Sequence, residues 1–250
     1  MKRFALFTLI GLALALARTA HAGPILITDP YGAAATNYPS DGCAPNACDV
    51  IGAKSRFDIR SIAFTSLSSA QVTAVIRMNY NSGDAALGPF PFAGRPLEVG
   101  DLLFSNGVHK YGVPLHTHTQ GGALVAGQLY SATNFLTSSN GLFNLSPLIF
   151  RTVNNDAWVD ANGALAIGSP GTVTSVNIAG PEVQVTVSFA PGGTFWNDVI
   201  STGLSVHFAS AVCANDVIDG EIRVPGPGSL FLLFTGLVGA AVAARRRRAA

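Results

Sequence analysis

The chain has 250 residues, 15 basic against 14 acidic side chains, and a hydrophobic fraction of 48%. Three basic residues lie within the first 22 positions and four lie at 245–248, so segment 23–223 keeps eight basic and all 14 acidic residues and carries a net charge of −6. This balance argues against nucleic acid as a partner and favours cations over anions as ligands. A segment of about 200 residues is enough for one domain with a single core.

The first 22 residues have the features of a secretory signal. A basic start, Lys2 and Arg3, precedes an apolar run from Phe4 to Ala17. Two small residues, Ala20 and Ala22, then form the pattern of a cleavage site, so we predict cleavage after position 22. An uncleaved anchor is the alternative, but the apolar run is shorter than the roughly 20 residues that span a bilayer.

The far end of the chain combines an apolar segment with a cluster of arginines. Residues 229–244 are uncharged and mostly apolar, and the residues that follow are Arg245, Arg246, Arg247 and Arg248. A helix of that length covers roughly 24 Å, a little less than the hydrocarbon core of a bilayer. Because arginines beside a span stay on the cytoplasmic side, we predict one transmembrane helix with the domain outside the inner membrane. A buried core helix with a basic end is the alternative.

A short motif precedes the apolar segment and consists of Val224, Pro225, Gly226 and Pro227. Together with the span and the arginines, it resembles the PEP-CTERM sorting signal of Gram-negative bacteria, and the resemblance covers residues 224–248. It implies processing by an exosortase, a membrane transpeptidase-like enzyme, and association with extracellular polysaccharide or biofilm matrix. The family has Pro-Glu-Pro where this chain has Gly226 between its prolines.

Between the two ends, apolar residues recur with a period of two. The clearest faces are Val72, Ala74, Ile76 and Met78; Val183, Val185, Val187 and Phe189; and Leu204, Val206 and Phe208. No part of 23–223 has the spacing of a long amphipathic helix. The pattern therefore predicts an all-β ectodomain, an antiparallel β-sandwich or jelly roll. The alternation slips between Ile59 and Ile62, which predicts a β-bulge.

Three cysteines lie in this segment, at Cys43, Cys48 and Cys213. An exported domain is expected to form disulfides, but three thiols cannot all pair. One alternative is a local bridge between Cys43 and Cys48. The other joins one of these two to Cys213 and ties the ends of the domain together.

The tripeptide Asp-Val-Ile occurs near both ends of the domain, at 49–51 and 216–218. One interpretation is two similar turns. The other is that the two ends lie side by side and share a Ca²⁺ site, because Ca²⁺ prefers oxygen ligands. The carboxylates assigned to that site are Asp49, Asp216, Asp219 and Glu221. We expect no other cofactor.

Two histidines, His116 and His118, alternate in a way that would place both on one face of a strand. Such a pair is a starting point for a metal-dependent hydrolase. Other strands would have to complete the site, and the candidates are Glu98, Asp101 and His109. The alternative is two solvated histidines beside a glycine-rich turn.

Trp158 and Trp196 each lie beside Asn or Asp in a turn-rich segment. Exposed rings in such a setting stack on sugars, so both are candidates for a carbohydrate platform. The alternative is that both rings fill the core.

The sequence as a whole predicts an exported, non-enzymatic protein of the cell surface or matrix, with its domain at 23–223. Its expected partners are an exosortase-type enzyme, the inner membrane and exopolysaccharide. A carbohydrate-binding module is the first alternative. A metal-dependent hydrolase that uses His116 and His118 is the second.

Overall fold

The structure of the chain is a computed structural model. It describes residues 23–29, 37–38, 50–51, 58–80, 90–92, 95–97, 99–117, 123–137, 156–180, 182–210, 216–224 and 235–236. Several predicted residues lie outside these ranges: Ala20, Ala22, Cys43, Cys48, Asp49, Glu98, His118, Cys213, 225–227 and 245–248.

Within the described residues, the chain forms 17 strands and one helix with defined bounds, and Thr235 and Gly236 are also helical. The strands are β1 (Ile25–Thr28), β2 (Asn37–Tyr38), β3 (Val50–Ile51), β4 (Ile59–Leu67), β5 (Val72–Asn79), β6 (Phe90–Phe92), β7 (Arg95–Leu97), β8 (Leu102–Ser105), β9 (Lys110–Val113), β10 (Leu129–Ala132), β11 (Phe135–Thr137), β12 (Asp156–Val159), β13 (Leu165–Ile167), β14 (Thr172–Ala179), β15 (Glu182–Phe189), β16 (Leu204–Ala209) and β17 (Val217–Ile222). The helix is α1 (Gly192–Ser201).

Most of the strands belong to two antiparallel sheets. One has five strands in the order β1-β4-β5-β15-β14, and the other has six in the order β13-β10-β9-β8-β16-β17. Three two-stranded pairs accompany them, β11-β12, β6-β7 and the parallel pair β2-β3. The predicted all-β, mainly antiparallel architecture is therefore confirmed.

The two large sheets share one core. Phe104 of β8 lies 6.2 Å from Phe64 of β4 and 6.0 Å from Phe189 of β15, measured between ring centroids. The same ring meets Phe195 of α1 edge-on at 5.2 Å. These tilted and edge-on contacts are the arrangements that aromatic pairs prefer. The shared core fits the predicted β-sandwich.

The predicted faces match the buried ones in β5, β15 and β16. The residues at every second position of β15, from Val183 to Phe189, are buried, and those between them are half-buried. The predicted bulge is also present, because the register of β4 against β5 shifts between Ile59 and Ser61. Period-two spacing predicts which residues are buried wherever one face of a strand packs on the core.

The helix α1 was not expected from the sequence. It buries Phe195 and Val199, which are one turn apart, and Trp196 and Ile200 are partly buried against the same core. A helix of only ten residues has a short apolar stripe. The spacing of its apolar residues is therefore hard to distinguish from the spacing in the neighbouring strands and turns. Tertiary packing of that stripe supplies most of the stability of such a short helix.

None of the described helical residues forms a segment that is long and apolar enough to cross a membrane. Of the predicted span at 229–244, the structure describes only Thr235 and Gly236. The transmembrane helix therefore stays a prediction.

Candidate functional site

Three aspartates, Asp29, Asp58 and Asp216, come together where the first and last strands of the domain meet. One oxygen from each lies within 4.8 Å of the other two. Asp216 is fully buried, and the other two are half-buried. The cluster therefore brings three negative charges into a region that water reaches only in part.

Local backbone geometry positions each aspartate. Asp29 directly follows β1, and its backbone N–H donates to the carbonyl of Arg60 at 3.2 Å. Asp58 directly precedes β4, and Asp216 directly precedes β17. The Asp216 carboxylate accepts the backbone N–H of Ile59 at 2.6 Å. Three strand ends thus meet at one point.

Close packing of β1 against β17 explains why the strand ends meet. A Cβ atom added to Gly220 of β17 would lie 2.5 to 2.7 Å from three side-chain atoms of Ile27 in β1. Contacts this short leave no room for any side chain, so glycine lets the two strands approach. The edge strand of one sheet is thereby held against the edge strand of the other.

Arg60 lies beside the cluster and connects two strands of the five-stranded sheet. Its Nε lies 3.9 Å from Asp58, and its Nη1 lies 3.2 Å from Glu182. The guanidinium therefore links the residue before β4 to the start of β15.

A buried hydroxyl lies next to the cluster. The backbone N–H of Ser210 donates to the carbonyl of Asp216 at 2.9 Å, in continuation of the β16–β17 register. Residues opposite each other in such a pair point to the same face, with Cβ atoms about 5 Å apart. Ser210 is fully buried, and its Oγ has no hydrogen-bond partner in the part of the chain that the structure describes.

The structure separates the acidic residues that the sequence grouped together. Ile218 and Ile222 of β17 are buried, whereas Asp219 and Glu221 point to the exposed face. Asp216 shares the parity of the buried residues, so the alternation of the strand directs it away from Asp219 and Glu221. Its observed partners, Asp29 and Asp58, were missed because no sequence spacing connects them. Asp49 lies outside the described residues.

His207 on β16 is bonded through both ring nitrogens. Its Nδ1 lies 2.7 Å from Asp219 Oδ1, and its Nε2 lies 2.7 Å from the carbonyl oxygen of Asp156. Burial by itself lowers the pKa of His207, but Asp219 and Asp156 together raise it above its ordinary value. Two acceptors suit a protonated ring that donates twice. His207 therefore ties β16 and β17 to β12.

Asp198 of α1 receives two side chains from the six-stranded sheet and its loops. Tyr111 donates its hydroxyl to Asp198 Oδ2 at 2.6 Å, and His109 Nδ1 lies 2.8 Å from the same oxygen. Burial, followed by the hydrogen bond and charge of Asp198, raises the pKa of the Tyr111 phenol. Tyr111 therefore remains a neutral donor that fastens α1 to β9.

The structure describes the predicted histidine site only in part. His116 lies beyond the end of β9, and its Nδ1 is 3.1 Å from the carbonyl oxygen of Thr117. Because His118 and Glu98 lie outside the described residues, the site stays a prediction. Of the other candidates, Asp101 accepts a backbone N–H of β12 at 2.9 Å, and His109 is bonded to Asp198 of α1.

The two tryptophans differ in burial. Trp158 is fully buried, and its Nε1 donates to the carbonyl of Val99 at 3.3 Å. No face of this ring is open to a sugar, so Trp158 follows the alternative that the ring fills the core, and the sequence-based assignment is corrected. Trp196 is partly buried against the main core.

His207, His109, Tyr111 and Asp101 each make a hydrogen bond that holds a strand or α1 in place. Among the described residues, the ligand atoms of the aspartate cluster lie close enough together to hold a metal ion. Comparison of the chain with protein-family models, curated proteins and solved structures finds no match in any of the three.

Proposed function

We propose that this chain is an exported, non-enzymatic protein of the cell surface or extracellular matrix. Its tail resembles the PEP-CTERM sorting signal, and we assign its partners as an exosortase-type enzyme, the inner membrane and exopolysaccharide. One observation carries the proposal: an acidic β-rich domain lies between a segment with signal features and an apolar, arginine-terminated tail. In this proposal the domain is the exported part of the chain, and the tail is its sorting signal.

Several polar side chains of the domain have a structural role, which is compatible with the proposal. His207, His109 and Asp101 each make a hydrogen bond that joins separate elements of the fold. These bonds stabilise the domain, as a surface or matrix component requires.

The tail explains how such a domain would reach the surface. Residues 229–244 would halt in the inner membrane, with Arg245 to Arg248 retained in the cytoplasm. Processing near the Pro225-Gly226-Pro227 motif would then free the domain for the surface. The carbohydrate-binding alternative is weaker, because the buried ring of Trp158 is unable to stack on a ligand.

Reporter fusions to the full chain test the proposed topology. A reporter enzyme that works only in the cytoplasm should be active when it is fused after Arg248. A reporter enzyme that works only in the periplasm should be active when it is inserted before Val224. Replacement of the four arginines by glutamine should reduce the cytoplasmic signal, whereas replacement by lysine should preserve it, because either basic residue sets orientation. The reverse pattern of reporter activity would contradict the proposal.

A further inference from the structure

We propose that the domain binds one Ca²⁺ ion at a site formed by four side chains, Asp29, Asp58, Asp216 and Ser210. This site lies where β1, β4 and β17 begin or end, and it differs from the grouping that the sequence suggested. The site belongs to the domain and does not depend on how the chain is sorted.

The three carboxylates supply the ligand type that Ca²⁺ prefers. Their nearest oxygens lie within 4.8 Å of one another, so one ion can reach all three after a small adjustment. Ca²⁺ takes roughly six to eight oxygen ligands at about 2.3–2.6 Å and tolerates irregular geometry. Waters would complete such a shell on the partly exposed side of Asp29 and Asp58. The carboxylates alone would not establish a site, since acidic clusters occur without ions.

Ser210 is the second and independent observation. A fully buried hydroxyl without a hydrogen-bond partner in the described residues is uncommon, because burial removes its bonds to water. Register places Ser210 opposite Asp216, on the same inner face of the sheet. A cation between the aspartates would give this oxygen a ligand role. The otherwise unexplained burial of the hydroxyl then has a reason.

The position of the site gives the ion a structural effect. A divalent cation is a large local charge that draws its ligands together. Here it would connect the start of the domain to its end, because Asp29 follows the first strand and Asp216 precedes the last.

The experiment uses the full chain, purified in mild detergent and stripped of metal with a chelator. CaCl₂ is titrated by calorimetry, and thermal unfolding is followed with and without CaCl₂. We expect a single equivalent of Ca²⁺ to bind, with a Kd of about 1 mM or below, the range of extracellular Ca²⁺ modules. The unfolding temperature should rise with the Ca²⁺ concentration, because only the folded chain has the site.

Variants separate a ligand from a structural residue. Asp29→Asn and Asp58→Asn should each weaken Ca²⁺ binding by roughly tenfold or more. Ser210→Ala should weaken binding while leaving the unfolding temperature in chelator unchanged or higher, because no hydrogen bond is lost. The matched controls are Glu221→Gln and Ser205→Ala, which alter exposed residues of the same two strands. They should bind Ca²⁺ like the parent chain.

Three results would overturn the proposal. The first is no binding heat and no change in unfolding temperature at about 10 mM CaCl₂, well above the expected range. The second is equal Ca²⁺ affinity in the parent chain, Asp29→Asn and Ser210→Ala. The third is tighter binding of Mg²⁺ than of Ca²⁺, since Mg²⁺ demands a regular octahedral shell.

Discussion

The Asp216 carboxylate accepts the backbone N–H of Ile59 at 2.6 Å, although the two residues are 157 positions apart in the chain. The same side chain accepts the N–H of Val217 at 2.9 Å. One fully buried carboxylate therefore fixes the start of β4 and the start of β17. This bond joins a strand of the five-stranded sheet to a strand of the six-stranded sheet.

The Ile59 amide should exchange its hydrogen slowly, and the Asp216 carboxylate should be the cause. Asp216→Ala leaves the Ile59 N–H without its acceptor. Exchange at Ile59 should therefore accelerate by about 10- to 100-fold, beyond any change due to global unfolding. This factor corresponds to the free energy cost of an unsatisfied buried donor. Asp216→Asn keeps one oxygen and should produce a smaller change. Exchange read at the peptide that contains Ile59 checks this. Equal protection in all three chains would contradict it.

Replacement of Asp29 by asparagine should reduce the stabilisation that calcium gives. Ca²⁺ raises the free energy of unfolding of the parent chain because only the folded chain has the site. Asp29→Asn removes one of three carboxylate ligands, so this gain should fall by about 1 kcal/mol or more, since a tenfold loss of affinity corresponds to about 1.4 kcal/mol. Urea unfolding of both chains in Ca²⁺ and in chelator measures the gain. An equal gain in both chains would contradict the prediction.

His207 should make the stability of the domain depend on pH. Its folded-state pKa is raised, so its contribution is complete below about pH 6.5 and disappears as pH rises through the raised value. Because Asp219 is 72% exposed, solvent screening limits the stabilisation from the His207–Asp219 pair to about 1 kcal/mol. Urea unfolding between about pH 5.5 and 8.5 should therefore show a decline with pH that is weaker in His207→Gln.

The comparison with His207→Gln measures His207 together with its effect on Asp156. Burial raises the pKa of Asp156, and the charge of His207 lowers it, so this carboxyl responds to the substitution. If the two stability curves run parallel across the range, His207 is not the source of the decline.

Tyr111 should resist ionisation. Burial, together with the hydrogen bond and charge of Asp198, raises the pKa of this phenol, so it stays neutral where ordinary tyrosines ionise near pH 10. The phenolate absorbance of the parent chain and of Tyr111→Phe should therefore coincide up to about pH 11. Asp198→Asn should bring Tyr111 ionisation to lower pH, with circular dichroism confirming that the chain stays folded. A phenolate signal that Tyr111→Phe loses near pH 10 would contradict this.

Regular strands could be predicted from the sequence because one physical rule governs them. In β15, the residues from Val183 to Phe189 alternate between the core and a less buried face, and the sequence shows the same alternation. The slip before Ile62 likewise showed the bulge in β4. Helix α1 was not predicted because its buried residues, Phe195 and Val199, form only one i, i+4 pair.

The candidate site was harder to predict because tertiary contacts create it. Asp216 was selected from its local motif, but Asp29 and Asp58 come from strands far away in the chain. Asp219 was grouped with Asp216 by proximity in sequence, whereas the strand turns it outward to His207. Trp158 shows the same limit, since a turn-rich neighbourhood does not reveal that its ring is buried.

The proposed export and processing can be checked by the molecular mass of the chain in each cell fraction. We expect a surface form that begins at Gly23 and lacks Arg245 to Arg248. Gly226→Glu, which restores the acidic residue of the resembling motif, should increase the processed fraction. A surface form whose mass still includes Arg245 to Arg248, or a chain of full mass found only in the cytoplasm, would contradict the proposal.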